Sequence, residues 1–156
     1  MKEEQKVLKE ILLGMYHDNI ASYRHHETQR STVTSSIIAI DTIVIGIITF
    51  DKMINWLDAP LLILLIILGV FGATFTAKHF ERASLHSERA RQIRKELDEL
   101  FAENTLAKLR HAADEIHAKN FPVLRKYRHH NFWILLHLII LTIGIGLACI
   151  AVFYPQ

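Results

Sequence analysis

The residue best placed to do chemistry is Asp41, near the middle of an apolar stretch, 33–50, with Ile37, Ile38, Val44 and Ile45 as its helix neighbours. An ionised carboxylate at bilayer depth is costly unless paired, hydrated or protonated, so an intramembrane acid is a functional candidate by default. Thr34, Asp41 and Ile48 recur every seven residues, with Ser35 and Thr42 beside the first two. Two readings follow. In one, carboxylates from several copies ring a water-filled passage that selects cations; in the other, a protonated acid bonds to a backbone carbonyl or to a neighbouring span. His137, in a later apolar stretch, is the second polar intrusion. It would relay protons with Asp41 if the spans bring the two together, or donate a single hydrogen bond to a helix neighbour. The pore-lining or intramembrane polar candidates are therefore Asp41, Thr34, Ser35, Thr42 and His137.

Other chemistries have less to stand on. Six of the ten histidines cluster as His25-His26-Glu27, His111 with Asp114 and His117, and His129-His130. Spacings of three and six open a helical face of about 120°, wide for one tetrahedral ion, and near a membrane such histidines more plainly help Lys and Arg meet anionic headgroups. The single Cys149 rules out an internal disulfide framework, and no Cys/His ladder suggests zinc. Neither a Gly-rich phosphate loop nor HExxH nor GxSxG occurs. Ser84, His86 and Ser87 sit on one helix, where adjacent positions point to different faces, so they form no triad. No catalysis, cofactor or metal is expected. A formal net charge of +2, with basic and acidic residues interleaved, argues against nucleic acid as a partner.

The elements that carry these residues follow from the distribution of apolar character. A hydrophobic content of 51% with 22% charged residues is ordinary for a globular chain. The placement is not: apolar residues gather at 33–50, 60–77 and 132–154, each long enough to cross a bilayer core as helix. Five Lys/Arg precede residue 33 and twelve lie in 78–131, and with Lys52 these account for all 18. The positive-inside rule then puts the N-terminal segment and the long connection in the cytoplasm and the C-terminus outside. The nine residues 51–59, carrying Asp51, Lys52 and Asp58, force the first two spans into an antiparallel hairpin. Trp56 and Trp133 suit either interfacial anchoring or packing.

Outside the spans, Val7, Leu8, Ile11, Leu12 and Met15 fall at helical spacing, and no proline separates this stripe from the first span. Ala90, Ile93, Leu97 and Leu100 make a narrow stripe on a charged helix in which Arg94 and Asp98 stand four apart. Asn104 or Thr105 caps a further helix with Leu106, Leu109, Ala113 and Ile116 on one face, ended by Phe121-Pro122. Pro122 suits the first turn of another helix that carries Arg125, Lys126 and Arg128 to the membrane surface and continues into the third span. Stripes this thin favour burial between copies of the chain. Gly69, Gly72, Gly144 and Gly146 offer close backbone approach without forming GxxxG.

Met15-Tyr16-His17-Asp18, the run from Arg30 to Ser36, and the run from His79 to Arg91 carry a likeness to a known group. Tyr23, Arg24 and Arg30 before the first span, and Glu81, Arg82, Glu88, Arg89 and Arg91 after the second, are its main bearers. Over residues 10–100 the chain resembles small bacterial inner-membrane proteins of the SLATT type and the RipA family of octameric membrane proteins. The resemblance implies a homo-oligomer in a bacterial cytoplasmic membrane and, for the SLATT type, a membrane-disrupting or pore-forming role in defence against phage. The third span lies outside that pattern.

The expected fold is thus an all-α membrane protein: three transmembrane helices with an amphipathic helical cytoplasmic bundle, homo-oligomeric. Its parts are an N-terminal amphipathic helix (1–32), a transmembrane hairpin (33–77), charged cytoplasmic helices (78–131) and a third span (132–154). The expected function is a non-enzymatic, channel-like or membrane-perturbing assembly of a bacterial inner membrane with the first span lining the axis. The alternative is a membrane-anchored scaffold whose cytoplasmic helices bind a partner protein. Expected partners are the lipid bilayer, further copies of the chain and, on the second reading, a cytoplasmic protein.

Overall fold

A computed structural model describes residues 3–50, 54, 56–101 and 104–153, with the side chain of His129 excepted. Asp51, Lys52, Tyr154 and Gln156, on which the expected first turn, the end of the third span and the placing of the C-terminus rest, lie outside the described residues. Four helices carry the chain: α1 (Glu3–Phe50), α2 (Ala59–Glu99), α3 (Thr105–Asn120) and α4 (His129–Phe153). Short 3₁₀ turns at Trp56–Asp58 and Leu124–Lys126 precede α2 and α4. Helices α1, α2 and α4 are long and apolar enough to cross a membrane. Gly14 does not break α1, which runs on through the first apolar stretch.

Two compact units form, one from Met1–Glu27 with Glu81–Arg128 and the other from Thr28–Phe80 with His129–Gln156. The second holds the apolar stretches. On α1 its buried residues are Arg30, Thr34, Ile37, Asp41, Val44 and Ile48, alternating in steps of four and three. That spacing keeps one narrow seam against neighbours inclined at a small angle, as in coiled coils. Val44 and Ile48 meet Leu62 and Leu65 of α2 in a dry core, flanked by Leu147, Ala148 and Ala151 of α4. Gly69 and Gly144 are where helices close up: a Cβ at Gly69 would come within 3.0 Å of the Leu141 backbone nitrogen, and one at Gly144 within 3.2 Å of Leu65 Cβ. Close backbone approach at small residues is the means by which helices associate where lipid competes equally for apolar surface. Gly146 has open space around it and takes no part.

The charged unit is held by less. Ala83, Ala90, Ile93 and Leu97 are buried along α2, so the stripe read from the sequence is the one that packs. The stripes of α1 and α3 fill poorly. Val7, Leu8, Ile11 and Met15 are about half exposed, α3 buries none of its residues, and Leu109 and Ile116 are 65% and 61% exposed.

Three local expectations are corrected. First, Asn104 stands at the N-cap of α3, but with φ 49° and ψ 46° and no side-chain cap bond. Asp98 caps the helix instead, its two carboxylate oxygens accepting from the backbone N–H of Leu106 and Ala107, each at 2.9 Å. A carboxylate on the first free amides of a helix is favoured by both hydrogen bonding and the helix dipole. Second, Arg94 and Asp98, neighbours four apart, are not a supporting pair, because the Asp98 carboxylate is bound to the α3 amides. Third, residues after Pro122 do not run as helix into the third span. A 3₁₀ turn is followed by extended Tyr127, with φ −84° and ψ 118°, before α4 begins.

Asp98→Ala is expected to weaken α3 by roughly 1–3 kcal/mol, the range for a buried charge-assisted bond lost with its amides left unmet. Amide exchange should accelerate at Leu106 and Ala107 and stay unchanged at Ile140; unaltered exchange at both α3 amides would remove the cap.

Candidate functional site

The polar residues of the first apolar stretch occupy two opposite faces of α1. Taking about 100° of rotation per residue, Thr34 and Asp41 lie with Arg30 on the seam facing α2 and α4. Ser35, Ala39, Thr42, Gly46 and Thr49 lie on the far side, all exposed. The five sequence candidates therefore divide. Thr34, Asp41 and His137 are 0%, 2% and 0% exposed inside the apolar unit, whereas Ser35 and Thr42 are on its surface.

The inner face is a polar half-core. At one end Arg30, 3% exposed, places its guanidinium 5.9 Å from the centre of the Trp133 indole, a cation–π distance. Trp133 is thus a packing residue, while Trp56, 77% exposed, is free to act as an interfacial anchor. One turn along α1 from Arg30, Thr34 Oγ1 lies 3.2 Å from His137 Nε2. The other face of that imidazole rests on Gly72 of α2, where an added Cβ would overlap the ring. Nδ1 has no hydrogen-bond partner among the described residues. The tautomer in which Nε2–H donates to Thr34 Oγ1 suits this setting, because it leaves a lone pair rather than a proton against the glycine. Thr76, one turn beyond Gly72, is fully buried, and its hydroxyl also lacks a partner among the described residues.

Asp41 sits two turns deeper than Thr34, about 10.5 Å along the helix at 1.5 Å per residue. Neither of its carboxylate oxygens meets a donor among the described residues. The relay with His137 is therefore not assembled as a hydrogen bond, since His137 is taken up by Thr34 and Gly72. Asp41, 2% exposed, faces the interior of its own chain. Just past it the apolar core of Val44, Ile48, Leu62 and Leu65 closes the interior. The Asp41 carboxylate, His137 Nδ1 and the Thr76 hydroxyl are thus buried polar groups of the apolar unit without hydrogen-bond partners among the described residues.

Thr42 and Thr49 of the outer face meet their hydrogen-bonding needs within the helix. Thr42 Oγ1 donates to the Ile38 carbonyl at 2.8 Å, Thr49 to Ile45 at 2.8 Å and, beside the stripe, Ser36 to Thr32 at 3.0 Å. Such bonds to the preceding turn let a hydroxyl sit at bilayer depth. A Cβ added at Gly46 would meet nothing within 4 Å. The face is small, weakly polar and uncovered by its own chain.

The remaining expected sites are peripheral to both faces. Arg125 and Lys126 occupy the 3₁₀ turn of the charged unit and are exposed, as is Arg128. Some of the histidines are taken up in packing, while His25, His111 and His117 are exposed: His26 stacks on His86 at 5.6 Å, and His86 Nδ1 lies 3.1 Å from Asn19 Oδ1. Phe80 stacks on His130 at 3.8 Å. No group of three or more metal-ligating side chains gathers among the described residues. Sequence reasoning passed over Thr76 and Arg30 as members of the interior, although Thr76 stands seven residues after Gly69 and Arg30 four before Thr34, steps that keep a residue on one helical face.

No protein family, curated protein or solved structure matches the chain.

Gly72→Ala is expected to lower the thermal midpoint in detergent, by an amount equivalent to about 1–3 kcal/mol for an overpacked core. The double variant Gly72→Ala/His137→Ala should recover part of the loss, because the two residues are in contact. Additive losses would show that the imidazole does not rest on this glycine.

Proposed function

We propose that the chain is a non-enzymatic, multi-pass protein of a bacterial cytoplasmic membrane, with the charged unit inside and the C-terminus outside, that works as a homo-oligomer. Copies meet through α1, and the first span lines the axis of a channel-like or membrane-perturbing assembly. The observation that carries this reading is the exposed stripe Ser35, Ala39, Thr42, Gly46 and Thr49, opposite the face that α1 packs within its own chain. Hydroxyls and small side chains gain nothing from lipid, but they permit close helix contact or line a wetted passage. The ring expected at the axis is accordingly one of hydroxyls from Ser35 and Thr42, and Asp41 serves the interior of each subunit. The basic connection supports the orientation through the positive-inside rule, and the resemblance to SLATT-type and RipA-family proteins supports the assembly.

A scaffold is the second reading, favoured by α3. Its apolar face, with Leu109 and Ile116 about two-thirds exposed, is open to a partner helix.

In liposomes, the natural chain should pass ions, Thr42→Leu should abolish the flux by dewetting the axis, and Asp41→Asn should leave it intact. Flux lost in Asp41→Asn and kept in Thr42→Leu would move the passage to the subunit interior, and absence of flux in every variant favours the scaffold. Native mass spectrometry of Gly46→Leu is expected to show the oligomer dissociating to single chains; a natural chain found only as a monomer would defeat the assembly.

A further inference from the structure

Within the charged unit, three arginines converge from two helices on a cavity of about 200 Å³. Arg91 and Arg94 come from α2 and Arg110 from α3, while Tyr16 of α1 and Ser87 of α2 add hydroxyls; Ile20 and Ala90 complete the lining. No carboxylate among the described residues lines it. Ser87, Arg91 and Arg94 step by four and three along α2 and so share one face.

Their charge is only partly answered by the fold. Arg91 Nη1 is 2.9 Å from Glu88, and Arg110 Nε is 3.5 Å from Asp114, an exposed pair. Arg94 has no acidic partner among the described residues. The acid at its helical spacing, Asp98, is bound by both oxygens to the amides of α3. Capping α3 thus strips Arg94 of its counter-ion and at the same time fixes Arg110, carried by that helix, across the cavity from it. Like charges brought together in this way destabilise a small unit unless an anion joins them.

We infer that Arg91, Arg94 and Arg110, with Tyr16 and Ser87, form a binding site for a phosphoryl oxyanion, either a small soluble phosphate compound or a phospholipid headgroup. Planar guanidinium forks match the paired oxygens of a phosphoryl group, and the two hydroxyls supply further donors. A neighbouring cavity of about 270 Å³ shares the three arginines and adds Lys95 and His111, giving room for a second phosphoryl group. The two carboxylates on its wall, Asp98 and Asp114, are those already engaged with the α3 amides and with Arg110.

The test is calorimetric titration of inorganic pyrophosphate into the full chain in phosphatidylcholine nanodiscs. Saturable binding is expected. Arg94→Gln and Arg110→Gln should each weaken it about tenfold or more, as loss of a charge-assisted contact implies. Arg94→Lys should recover part of the affinity by restoring the charge without the fork. Arg125→Gln, on the exposed turn, should leave it unchanged, and helicity by circular dichroism identifies variants that keep the fold. Repeating the titration in phosphatidylglycerol nanodiscs separates the sources: unaltered affinity assigns the site to a soluble phosphate, and competitive loss that Arg94→Gln abolishes assigns it to the headgroup. Binding that is absent in phosphatidylcholine, non-saturable, or as strong in folded Arg94→Gln as in the natural chain overturns the proposal.

Discussion

In the apolar unit everything turns on placing polar groups where no water is available to them. Lipid tails are as apolar as leucine, so burying Val44 or Leu65 against another helix gains little over leaving it in the bilayer. What distinguishes the packed arrangement is contact that lipid cannot replace: the bond between Thr34 and His137, the imidazole on Gly72, and backbones drawn together at Gly69 and Gly144. These contacts set the rotation of α1. Once Thr34 is turned inward, a seven-residue step brings Asp41 inward too, and Ser35 and Thr42 are left on the opposite surface.

That rotation divides the labour of one helix. Its inner face holds a polar half-core closed by aliphatic side chains, and its outer face is a small, hydroxylated surface whose Thr42 and Thr49 hydroxyls bond to its own backbone. The inner carboxylate is the anomaly, because a buried group without a donor destabilises the fold that holds it.

The charged unit solves a different problem. Its apolar stripes are narrow, so a polar device, the Asp98 cap, takes on the positioning of α3. The same carboxylate decides the electrostatics around it. By turning to the helix amides it leaves Arg94 without an acidic partner among the described residues.

How much of this was legible beforehand depends on the range of the interaction concerned. Hydrophobic runs, the continuity of α1, the end of α3 at Phe121 and the packing stripe from Ala90 to Leu97 are read from spacing along one helix. Asp41 and His137 were recognisable because a polar residue in an apolar run stands out regardless of its surroundings. Their separation was not, since residues so far apart in the chain are placed by the register between helices. Likewise a four-residue step allowed Arg94 to pair with Asp98, but a competing set of amides eight and nine residues further on was stronger.

Sequence by itself determined that three helices are long and apolar enough to cross a membrane, and which residues are polar within them, because helix period and transfer free energy are properties of a segment. Tertiary structure alone decided which of those polar residues face one another, which face outward, and which charges are left unanswered. Those outcomes depend on helix rotation and on competition between partners distant in the chain, and neither is encoded in the spacing of any single element.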